Sequence, residues 1–67
     1  MGFNKRYFTL EKIIFYYFEF GMEGLGILVK NTDGFTCDCY TSNEIVKCIF
    51  NNKLDIAENL IKQLKQA

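Results

Sequence analysis

The stretch "KIIFYYFEFGMEGLGILV", Lys12 to Val29, decides how this chain folds. It opens with a run of isoleucine and aromatic residues, passes two glycines, and turns apolar again from Leu25. The longest unbroken apolar run is Ile13–Phe18, and Glu19 and Glu23 put charge into the residues after it. A bilayer-spanning helix needs about 20 apolar residues, so no transmembrane segment is expected.

Two local readings compete for Glu11–Phe20. As a helix, the segment has Thr9 as a cap and Gly21 as its end. As a strand, it has the enrichment in β-branched and aromatic residues that pleated surfaces favour. The wheel is apolar nearly all round, which weakens the helical case, so the strand is preferred. Ile14, Tyr16, Phe18 and Phe20 then face one way, and Ile13, Phe15, Tyr17 and Glu19 the other.

The next segments extend this reading. Leu25, Ile27 and Val29 alternate with Gly26, Leu28 and Lys30. Phe35, Cys37 and Cys39 alternate with Thr36, Asp38 and Tyr40. Both read as half-buried strands joined by "NTDG", Asn31 to Gly34. A three-residue loop Thr32-Asp33-Gly34 opposes Val29 to Cys37, apolar to apolar, with Gly34 in the left-handed position and a local bulge. A turn at Met22-Glu23 opposes Phe20 to Leu25. Both turns place one apolar face on one side, which predicts a three-stranded antiparallel meander.

The period then changes. "TSNE", Thr41 to Glu44, has the form of a capping box, with Ser42 as the alternative cap, and Ile45, Val46, Cys48, Ile49 and Phe50 share a broad arc of a short helix. Asn51-Asn52 breaks it. In the last segment Leu54, Ile56, Ala57, Leu60, Ile61 and Leu64 form one stripe, with a second capping box at Asp55–Glu58 and Glu58 and Lys62 spaced i,i+4. The expected fold is therefore α+β: three antiparallel strands followed by two helices packed on one face, in the order β-β-β-α-α, with a short N-terminal strand or arm. At 67 residues the chain is a single small domain, 1–67.

Composition bounds the function. Eight basic and eight acidic residues leave no net charge. A basic stripe for nucleic acid is missing, so nucleic acid is not an expected partner, although exposed aromatics on a sheet could stack bases. The chain has no histidine, which removes the commonest general base and metal ligand. The glycines form no phosphate loop, and the single serine, Ser42, stands where a helix cap belongs. Cys37, Cys39 and Cys48 are odd in number and lack metal-knuckle spacing, so they read as small buried hydrophobes in a reduced, cytoplasmic protein with no signal segment. Neither an enzyme nor a bound cofactor or metal is expected. The abundance of lysine, isoleucine and asparagine fits a small bacterial or viral accessory protein.

What remains is surface. With helices on one side of the meander, its second face holds Ile13, Phe15, Tyr17, Leu28 and Tyr40, a contiguous patch of the sort that marks association. These five are the expected interface residues. Residues 1–8 could fold back over them with Phe3, Tyr7 and Phe8. The expected function is a small protein-binding module, an inhibitor or regulator acting by occupying a partner's surface, or alternatively a homodimeric structural accessory protein or a weak nucleic-acid-binding protein.

Overall fold

Thr9 settles the first ambiguity. Its backbone is extended and its hydroxyl accepts from the Lys12 amide at 3.0 Å, so it caps a helix that begins at Leu10. In the computed structural model, which describes residues 5–66, that helix (α1, Leu10–Lys30) lies between two short strands, β1 (Lys5–Phe8) and β2 (Gly34–Cys37). Two further helices follow, α2 (Tyr40–Phe50) and α3 (Leu54–Gln66). The strands pair in parallel, Lys5 to Gly34 through Phe8 to Cys37, as a β-α-β unit with a helical crossover.

The order is thus β-α-β-α-α, and the expected antiparallel meander is wrong. Glu11–Phe20 and Leu25–Lys30 are helical, and Met22-Glu23 lies within the helix rather than in a turn. "NTDG" joins a helix to a strand, not two strands; only Phe35–Cys37 of the third expected strand is extended in a sheet, and Gly34, expected left-handed in a loop, begins β2 instead. The expected short N-terminal strand is present over Lys5–Phe8, while residues 1–4, with Phe3, lie outside the described residues.

Gly21 explains why the helical period is hidden. Its φ of 72° and ψ of 179° lie where only glycine sits without strain, and they break α1 into two segments. In the first, Leu10, Ile13 and Tyr17 turn toward the core with Tyr16 at its edge; in the second, Met22, Leu25, Gly26 and Val29 do, with Leu28 at the edge. Each central set steps by three or four residues, but at 100° per residue the two stripes are out of phase by about 120°. Taken as one helix, the stretch is apolar all round. The kink also brings Gly24 against Phe20: a Cβ on Gly24 would collide with the Phe20 Cβ. Gly24 is therefore needed for close approach.

The core is built mostly from helices. Ile13, Leu25 and Val29 of α1 meet Ile45, Val46 and Ile49 of α2 and Ala57 and Ile61 of α3, all fully buried, with Phe8 closing the cluster from β1. β1 alternates as a strand on such a core should, with Phe8 inward and Tyr7 outward. On β2, Phe35 stacks on Phe50 of α2 with ring centroids 5.2 Å apart. α2 ends as the asparagine pair suggests. The Lys53 amide reaches back to the Cys48 carbonyl at 2.8 Å, and Asn52 takes the left-handed conformation at φ 61°. α3 keeps its stripe, with Ala57 and Ile61 buried and Leu54, Leu60 and Leu64 partly so; Ile56 is half exposed. Its first helical residue is Leu54, so Asp55 lies in the first turn rather than at a cap.

Candidate functional site

Two regions could carry function. The first is the carboxyl end of the parallel strands, where open α/β sheets usually receive ligands. There β1 runs into the N-terminus of α1 and β2 into that of α2. The Asp38 amide donates to the Phe8 carbonyl at 3.1 Å, and its carboxylate Oδ1 accepts from the Leu10 amide at 3.2 Å and from the Ser42 hydroxyl at 2.9 Å. Ser42 is fully buried and in turn accepts from the Cys39 amide at 3.2 Å, which makes Cys39 the residue that precedes α2 and leaves Thr41 inside the helix. The serine thus caps α2 from within it, rather than from the position before it.

The electrostatics follow from these bonds. The Ser42 hydroxyl is the largest cause holding the Asp38 carboxyl below its usual value; burial, the next largest, opposes it, and the Cys39 side chain and the Leu10 amide add to the lowering. Burial, with the neighbouring Asp38 and Cys39, pushes the Cys37 thiol up, and a hydrogen bond with Ser42 only partly offsets this. A thiol so raised is a poor nucleophile at neutral pH. The place where an anionic ligand would meet the α1 N-terminus is filled by the chain's own carboxylate. Among the described residues no group of three or more His, Cys, Asp or Glu is placed to hold a metal ion. This end of the sheet therefore works as a latch between β1, α1 and α2.

The second region is the outward side of α1. Phe15, Phe20 and Ile27 are 56%, 60% and 59% exposed, and Phe18 is exposed beside them. An open groove of about 450 Å³ runs along the helix across its kink, lined by Tyr16, Phe20, Gly24, Ile27, Leu28 and Asn31. Its residues recur at the i, i+4, i+8 spacing of one helix side. Next to it, nearer the start of α1, a second groove of about 400 Å³ is lined by Glu11, Lys12, Phe15 and Tyr16. Edge-to-face contact between Phe15 and Tyr16, with centroids 6.0 Å apart, separates the two.

The five expected interface residues do not share a surface, because the sheet face meant to unite them does not form. Ile13 is fully buried in the core. Tyr17 faces α3, where its hydroxyl donates to Glu58 Oε2 at 2.9 Å; that bond, then burial, then the Glu58 charge, raise its pKa. Glu58 also pairs with Lys62 at 3.9 Å, as their spacing suggests. Tyr40 is 76% exposed, at the first turn of α2. Phe15 and Leu28 are the two that border grooves on α1. The strand reading puts Phe20 and Ile27 on the core face, yet they are exposed. A helical reading split at Gly21 finds Ile27 but leaves Phe20, three residues after Tyr17 and seven after Ile13, beside the core stripe.

No helix of the described residues is long and apolar enough to cross a membrane. Comparison with protein-family models, with curated proteins and with solved structures finds no match to this chain.

Proposed function

We propose that this chain is a small, non-enzymatic protein-binding module whose contact surface is the outward side of α1. Its mode of action is occupation of a partner's surface, as an inhibitor or regulator does. The observation that carries this reading is the set of large exposed apolar side chains, Phe15, Phe20 and Ile27, spread over the outer surface of one helix of a domain that already has a filled core. Leaving several such side chains in water is unfavourable by roughly 25 cal/mol per Å² of apolar area, and a partner removes that cost. The three free thiols, Cys37, Cys39 and Cys48, support a reducing, cytoplasmic setting.

The test is photo-crosslinking in the expressing cell. p-Benzoylphenylalanine replaces Phe15 or Phe20 on the proposed surface, and Lys53 in the turn after α2 as a control. Crosslinked protein is expected from the first two positions and not from the third. Equal labelling at all three positions, or none at any, would refute the assignment.

A further inference from the structure

The groove beside Phe15 has a feature that points to one occupant. Lys12 and Glu19 lie on the straight first segment of α1, before the kink at Gly21, and both are exposed. Seven residues apart, they stand about 10.5 Å apart along the helix and only about 20° apart around it. Among the described residues the ion pair found is Glu58–Lys62, and neither Lys12 nor Glu19 pairs with another described charge. Midway between them lie Phe15 and Tyr16.

We propose that the occupant of the outer side of α1 is a second copy of this chain, packed antiparallel about a two-fold axis at the level between Phe15 and Tyr16. This rests on the binding surface assigned above and names its partner. A two-fold contact is self-complementary: each residue meets the one equally far from the axis on the other chain. An axis at that level brings Lys12 level with the partner's Glu19, and Glu19 with the partner's Lys12. Phe15 enters the groove lined by Glu11, Lys12, Phe15 and Tyr16 on the other chain. Glu11 is turned about 90° around the helix from the contact line, beside the rings rather than on the line itself. A foreign surface would need a matching pair of charges at the same spacing. A second copy has that pair by symmetry.

The experiment is sedimentation equilibrium of the full chain over a concentration series, with the charge-reversed forms Lys12→Glu and Glu19→Lys. Both positions are exposed, and circular dichroism checks that each variant is folded. Each single reversal should weaken the dimer about tenfold, since two symmetric pairs become repulsive. Lys12→Glu with Glu19→Lys in one chain should restore it. An equimolar mixture of the two single variants should form a heterodimer more readily than either forms a homodimer. Three results would each overturn the proposal: a monomer across the whole series, a dimer indifferent to both reversals, or a dimer not rescued by mixing. A monomer that still crosslinks through position 15 to a different protein would overturn the second copy alone and leave the binding surface standing. A monomer with no crosslink at position 15 or 20 would remove both.

Discussion

Replacing Gly21 with alanine gives opposite results according to whether α1 is broken. At φ 72° and ψ 179° an L-residue is strained by roughly 1–3 kcal/mol. No atom lies within 4 Å of where the new Cβ would stand, so packing neither adds to nor relieves that strain. Alanine also stiffens the unfolded chain, which offsets about 0.4–1 kcal/mol. The net expectation for Gly21→Ala is a loss of about 1–2 kcal/mol, from a domain whose whole stability is of order 3–10 kcal/mol. If α1 instead ran straight through residue 21, the same change would stabilise it by about 0.8–1 kcal/mol, the difference between glycine and alanine in a helix interior. Urea unfolding followed by circular dichroism reads the sign from the shift in midpoint at constant slope. A chain of this length can be made synthetically with D-alanine at position 21. D-Alanine accepts the positive φ and should be more stable than the L-alanine form and at least as stable as the wild type. A higher midpoint for L-alanine than for glycine would refute the kink and, with it, the two stripes and the exposed surface they leave.

Two further outcomes concern the core and the latch. Ile13→Ala should cost about 2–5 kcal/mol of stability, as for other deeply buried aliphatics, while Phe15→Ala should leave the unfolding midpoint nearly unchanged and lower association instead; thermal unfolding and sedimentation separate the two effects. Asp38→Asn should flatten the acid side of the stability curve. The carboxyl is held below its ordinary value in the folded state, so its contribution is complete above that ordinary value and is lost as pH falls through the lower folded one. Urea midpoints measured down through the acid range should therefore converge for wild type and variant, and parallel curves would remove Asp38 from the latch.

How much of this is legible in the sequence depends on the distance over which each signal acts. The stripe of α3, the asparagine break and the helical core of α2 depend on neighbours a turn away, and they read correctly. Thr9 as a cap and Gly21 as a helix end are both visible as one branch of the reading of Glu11–Phe20. Propensity pulls the other way, because Ile13–Phe18 is all β-branched or aromatic. Burial of Ile13 against α2 and α3 overrides that preference. The agreement of two turns with one sheet face comes from alternation that Gly24, Gly26 and Gly34 mimic without forming strands of the expected length. The pairing of β1 with β2, and the reach of Asp38 to Leu10 across 28 positions, leave no mark on local pattern. The expected interface fails for the same reason: it is drawn on a sheet face, and only Phe15 and Leu28 border the grooves of the helix that stands in its place.

The parallel sheet has a consequence for the order in which the molecule assembles. β1 and β2 cannot meet until the whole of α1 has been reeled in between them, whereas α2 and α3 are joined by a three-residue turn and can find each other at once. Closing the longer loop costs chain entropy before any strand hydrogen bond forms. The helical pair is thus the expected seed, with α1 docking on it and β1 seating last. Hydrogen exchange should therefore be faster at the amides of Arg6 to Phe8 than at those of Ile45 to Ile49, although both belong to one small domain.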